Sequence, residues 1–178
     1  MLTDGPGVAE YSQHCQVFAL LTDTVSVETG RENLRRTLKN GEEYAQCSVA
    51  MAFYLFRALE KADLYDQTKD AWDLWRNMVK NNLTTCVEDG VNERSDCHAW
   101  GALALYELPS VVLGVRPAAP GYEKIAIDPH PGYMTAAKGE VITPRGMVSV
   151  EWTLDGNGKV QMTYEAPEGV EVVTGKEG

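Results

Sequence analysis

The sequence predicts a mainly α segment followed by an all-β segment, and three observations carry that expectation. Apolar residues recur at helical spacing up to about residue 114 and afterwards alternate with polar ones in short runs. Six of the eight prolines, Pro117, Pro120, Pro129, Pro131, Pro144 and Pro167, follow residue 116. With 178 residues, 44% hydrophobic and 24% charged, the chain has an ordinary globular composition and enough length to bury a core. The expected division is residues 1–115, helical, and residues 116–178, a small antiparallel sheet or sandwich.

Helices are predicted at roughly residues 8–22, 30–39, 42–62, 66–82 and 97–113. Tyr11, Cys15, Phe18 and Leu21 form one apolar stripe, and Val49, Phe53, Phe56 and Leu59 with Leu55 form another. Gly30 is read as preceding the second helix and Asn40-Gly41 as its left-handed stop. Asn81-Asn82 follows the fourth helix and Gly114 ends the fifth. Short connections predict helical hairpins, with too few helices to close a toroid. Trp72 and Trp75, three apart, are expected in the core.

The segment VRPAAPGYEK reads as a proline-rich crossing. Strands follow at EKIAID, KGEVITP, MVSVEW, KVQMTY and VEVVTG, with Asp155-Gly156-Asn157-Gly158 as a hairpin turn between the third and fourth.

Sixteen basic against twenty-six acidic side chains give a formal charge of −10 and a pI near 4.7. That charge repels phosphate backbones and anionic membrane surfaces, so no nucleic-acid partner is expected. No run approaches the length of a membrane span, and the first residues, MLTDGPGVAEYSQ, lack the basic and apolar regions of a signal peptide. Cys15, Cys47, Cys86 and Cys97 show no CxxC spacing, which predicts free thiols rather than a zinc site and leaves the compartment open.

The best candidate site is NNLTTCVEDGVNERSDCHAWGA, between the fourth and fifth helices. Glu88, Asp89, Arg94, Asp96, His98 and Trp100 lie close enough there for a loop and a helix start to aim them at one pocket. The same residues also permit a plain structural role, with Ser95 or Asp96 capping the fifth helix. Carboxylates beside aromatic rings suit glycoside hydrolysis, which needs one acid and one base or nucleophile flanking the bond. His14, His98 and His130 sit in separate segments without HExxH spacing. No GxSxG, GxGxxG or P-loop pattern occurs, so neither a metal nor a cofactor is expected.

Four segments, YSQHCQVFALL, LTTCVED, RSDCHAWGALALYELPSVVLGVRPAAPGYEKIAIDP and AKGEVITPRGMVSVEW, resemble in order and spacing the C-terminal part of bacterial α-L-rhamnosidases of glycoside hydrolase family 78. The resemblance implies an inverting hydrolase of terminal α-L-rhamnosyl residues, built on an (α/α)6 barrel. Residues 1–115 would be the last helical hairpins of that barrel, and a C-terminal β-sandwich would follow. It also implies Glu88 as the general base, His98 as a sugar-binding residue and Trp100 as a pocket wall, with a periplasmic or extracellular parent. Cys86 and Val87 stand where the family pattern has tryptophan and proline, and Gln13 stands where a glutamate is common.

Inversion needs a second carboxyl group, which the family keeps in an earlier segment. The chain is therefore expected to be a fragment, inactive alone and acting on rhamnosyl oligosaccharides or glycosides only with its missing part. A helical face left without neighbours predicts a homo-oligomer. The alternative function is a non-catalytic carbohydrate-binding or interaction module.

Overall fold

A computed structural model describes residues 1–89 and 95–175. It holds two compact units, Met1–Leu103 and Ala104–Gly178. Helices come first and strands second, as the apolar periodicity predicts.

The first unit contains α1 (Gln13–Leu21), α2 (Val27–Lys39), α3 (Ala52–Lys61) and α4 (Asp73–Lys80). Ser12 caps α1 through the N–H of Cys15, and its own hydroxyl is held by Asp4 at 2.7 Å. Ser26 caps α2 by accepting from the N–H of Thr29. Gly30 therefore lies inside α2 rather than before it. A Cβ there would come within 2.7 Å of Leu20 Cδ1, so the missing side chain is what lets α1 and α2 approach closely.

Three helices end alike. Asp23, Asp63 and Asn82 adopt φ of 56°, 56° and 57° directly after the last helical turns. Each donates its N–H to the carbonyl three residues back (Leu20, Glu60, Val79). The next residue donates to the carbonyl five back: Thr24 to Ala19, Leu64 to Leu59, Leu83 to Met78. These are Schellman caps with Asp or Asn in the left-handed position where glycine is commonest. The Asn82 signal was visible in the sequence. Asn40-Gly41 is not such a stop, since Asn40 has φ −114° and Gly41 opens a short 3-10 turn, Gly41–Glu43.

The predicted helix over 42–62 begins ten residues late. Buried Gln13 explains it: its backbone N–H donates to Ala45 O, its Oε1 accepts from the N–H of Cys47, and its Nε2 reaches Thr37 Oγ1. With a parallel bridge from Ser12 to Ala45, this draws residues 45–47 out as an extended segment. The core joins Val17, Leu20, Leu34, Leu55, Leu59 and Phe56 to Trp72 and Trp75. Phe56 meets Trp72 edge-on at 5.3 Å, and Trp72 meets Trp75 at 5.5 Å. The two tryptophans are core residues, as their spacing predicts.

The predicted fifth helix is broken into a 3-10 turn at Ala99–Gly101, α5 (Leu103–Glu107) and a π turn over Leu108–Val112. Pro109 has no N–H to give the preceding turn, and the ladder widens to a bond from Leu113 N to Leu108 O, five residues back.

The second unit carries two three-stranded sheets. One has the order β1 (Val115–Pro117), β2 (Lys124–Ile127), β6 (Glu171–Thr174); the other has β3 (Ala136–Thr143), β4 (Gly146–Leu154), β5 (Val160–Glu165). β1 falls in the stretch expected to be a bare crossing. Among the described residues of this unit the strand pairings are antiparallel except that of β2 with β6. The expected hairpin joins β4 and β5. Asp155 Oδ1 accepts from the N–H groups of Lys159 and Asn157, which hold its carboxyl below the usual range. Val148, Val150 and Trp152 alternate inward with Ile125, Ile127 and Val112 in the same buried set. Trp152 Nε1 donates to Val112 O at 3.0 Å, which ties the π turn to the sheet. Among the described residues no helix is long and apolar enough to cross a membrane.

Candidate functional site

The connection after α4 is laced across its own base. His98 N donates to Cys86 O at 2.7 Å, Glu88 N donates to Ser95 O at 3.1 Å, and the Thr85 hydroxyl donates to Asp96 O. Ser95 and Asp96 thus spend their carbonyls on closing the loop, and Ser95 takes φ 57° instead of capping a helix. The lacing brings residues ten apart in sequence side by side: His98 Nδ1 stands 3.9 Å from Glu88 Oε2, both side chains half-buried. The His98 ring meets Trp100 edge-on, with centroids 5.6 Å apart. Trp100 is 72% exposed.

A glycine anchors this loop. A Cβ on Gly101 would lie 2.7 Å from Cys86 Cβ and 3.0 Å from Val87 O, and Gly101 O accepts from Trp75 Nε1 at 2.6 Å. Both neighbours are fixed, so the loop rather than the glycine must give way to any side chain. Gly101→Ala is expected to cost about 1–3 kcal/mol of stability through overpacking. It should also displace the Glu88 and His98 arms, seen in denaturant unfolding together with altered His98 NMR shifts.

Glu88, Asp89, His98 and Trp100 line one cleft of about 590 Å³, completed by Cys47, Ser48, Val49, Ala50, Met51, Leu74 and Asn77. That size lies within the roughly 300–1,000 Å³ of small-molecule sites. Asp96 is not among the lining residues, and Arg94 lies outside the described residues. Residues 47–51 carry no site signal in the sequence, because the apolar spacing there predicts the interior of a helix. Leu74 and Asn77 are masked by their neighbours Trp72 and Trp75, which mark α4 as a core helix; their own three-residue spacing is the available signal. Burial pushes the Cys47 thiol up to about 12, so it faces the cleft as a neutral group.

A second depression, of about 520 Å³, lies on the outer face of β3–β4–β5 among Lys138, Glu140, Glu151, Thr163 and Glu165. Lys138 and Glu151 already pair there at 2.9 Å across the strands, as on an ordinary solvated sheet face. The cleft at Glu88 is therefore the better candidate for chemistry. Among the described residues no cluster of His, Cys, Asp and Glu could hold a metal ion.

Comparisons with known proteins agree with the resemblance seen in the sequence. Residues 114–174 match the family model described as the bacterial alpha-L-rhamnosidase C-terminal domain. An α-L-rhamnosidase of Alteromonas sp. (strain LOR) is 27% identical over 103 residues, covering 51% of this chain and 11% of that protein. A family 78 rhamnosidase of Bacillus sp. GL1 has a solved structure that is 31% identical. It superposes with a TM-score of 0.79 over 94% of this chain and 19% of its own. The Aspergillus terreus α-L-rhamnosidase, 23% identical, shares the fold with a TM-score of 0.79 over 97% of this chain and 22% of its own. The chain thus spans about a fifth or less of the relatives it matches.

Proposed function

We propose that this chain, similar over nearly its whole length to part of the family 78 α-L-rhamnosidases, is the C-terminal portion of a glycoside hydrolase that removes terminal α-L-rhamnosyl residues. Residues 1–115 would then be the last helical hairpins of an (α/α)6 barrel, and residues 116–178 its β-sandwich. The observation that carries the reading is the laced loop, which sets Glu88 against His98 in a cleft walled by Trp100.

Glu88 acts as the general base of an inverting displacement. Its carboxylate takes a proton from a water whose oxygen bonds to the anomeric carbon. The C–O bond to the aglycone breaks on the opposite face, and the aglycone oxygen takes a proton from a general acid. The two carboxyl groups of such a pair stand roughly 6.5–9.5 Å apart to admit the water. Glu88 and Asp89 are adjacent on one strand of loop, so both would approach a substrate from the same side. The acid belongs to the remainder of the enzyme. His98 donates to a sugar hydroxyl, and the exposed indole of Trp100 offers an apolar face to a ring.

The test is release of 4-nitrophenol from 4-nitrophenyl α-L-rhamnoside. The chain alone is expected to be silent and the complete enzyme active. Turnover by the chain alone would place the acid within these residues and end the base-side reading. A complete enzyme inert toward the rhamnoside would end the substrate assignment.

A further inference from the structure

Three segments supply the cleft and make two walls of different character. The laced loop contributes the ionisable Glu88, Asp89 and His98, whereas the stretch before α3 and the exposed side of α4 contribute Met51 and Leu74, with Ala50 beside Met51. Met51 and Leu74 are half-buried, so a bound molecule can touch them without the core being opened. Cys47, on the same side, adds no charge at neutral pH, because burial keeps its thiol protonated. Ser48 and Asn77 are the polar exceptions, and both are exposed enough to remain hydrated.

A ligand meeting both walls has one edge rich in hydroxyls and another without them. A 6-deoxyhexose is such a molecule: its ring hydroxyls suit carboxylates and imidazole, and the methyl on C5 suits a thioether and an isobutyl group. A hexose with a hydroxyl on that carbon would lose water from it against Met51 and Leu74 with no partner in exchange.

We propose that Met51 and Leu74 are specificity-determining residues that receive the C5 methyl and select 6-deoxy sugars over their 6-hydroxy counterparts. The assignment rests on the functional reading above and deepens it.

The experiment compares kcat/KM of the complete enzyme for 4-nitrophenyl α-L-rhamnoside and 4-nitrophenyl α-L-mannoside, which differ only in that hydroxyl. The unaltered enzyme should favour the rhamnoside by on the order of 100-fold, the range an apolar pocket achieves against an added hydroxyl. The near-isosteric Leu74→Asn and Met51→Gln should each shrink the ratio by about tenfold, and Leu74→Met should keep it. An unaltered enzyme with a ratio near one overturns the assignment. So do polar variants that slow both substrates equally, because the folded fraction of a preparation cancels from the ratio of its two kcat/KM values and instability alone leaves no mark on it. Hydrolysis of neither substrate by the unaltered enzyme defeats the functional reading itself, and this assignment with it.

Discussion

Glu88→Gln in the complete enzyme is expected to lower kcat on aryl α-L-rhamnosides by about 10²–10⁴-fold, the contribution of a positioned general base. That corresponds to roughly 3–5 kcal/mol of barrier. The amide keeps the shape of the side chain but cannot accept a proton from the attacking water. KM should change little, because the residue acts on the water rather than on the sugar. Glu88 is half-buried, so the melting temperature should stay close to that of the unaltered enzyme. Kinetics on 4-nitrophenyl α-L-rhamnoside, paired with a thermal melt, separate these effects. A rate within threefold of the original would remove Glu88 from the base role.

The second large effect is on stability. Gly114 has φ +88°, and a Cβ there would lie 2.4 Å from both Asp128 C and Pro129 N and 2.6 Å from Asp128 O. Those atoms are backbone and cannot swing aside. They are also held in place, since Asp128 N donates to Gly114 O at 3.0 Å and Val115 pairs with Ile127 next door. Gly114→Ala therefore combines a left-handed backbone, about 1–2 kcal/mol for an L-residue, with a clash of about 1–3 kcal/mol. The expected loss is about 3 kcal/mol or more, a large share of a typical 5–15 kcal/mol. Urea unfolding of the chain measures it, and a loss under 1 kcal/mol would mean that β1 and β2 separate more easily than their pairing implies.

Much of this was readable in the residues, for physical reasons. Leu55, Phe56 and Leu59 announce the buried side of α3, and the alternation of Val148, Val150 and Trp152 announces a strand. The stripe of Tyr11, Cys15, Phe18 and Leu21 misleads, because α1 buries Gln13, Gln16, Val17 and Leu20, and Tyr11 and Phe18 are exposed. Gly114 reads as a helix end and follows the last turn, Leu108–Val112, with φ +88°. What the sequence hid was non-local. The segment around Ala45 is extended because Gln13, more than thirty residues earlier, binds the Cys47 N–H, and no local propensity reports that. Gly30 looked like punctuation but is a packing gap for Leu20. The parallel partnership of β2 and β6 joins residues nearly fifty apart.

The site divides in the same way. Glu88, His98 and Trp100 all line one cleft, and they were legible as neighbours because their loop collects reactive and aromatic side chains in one short stretch. Met51 and Leu74 were not, because their share in the cleft comes from the folded arrangement of α3 and α4 around that loop.

The burial of the tryptophans also gives the chain an optical asymmetry. Trp72, Trp75 and Trp152 are 6%, 7% and 1% exposed, against 72% for Trp100. The three buried indoles emit from a dry, rigid surrounding, whereas the fourth is bathed in water beside the imidazole of His98. The red-edge fluorescence, and the fraction open to a neutral collisional quencher such as acrylamide, therefore belong mainly to the one ring at the mouth of the cleft. Occupancy there has its own intrinsic signal, with no label attached.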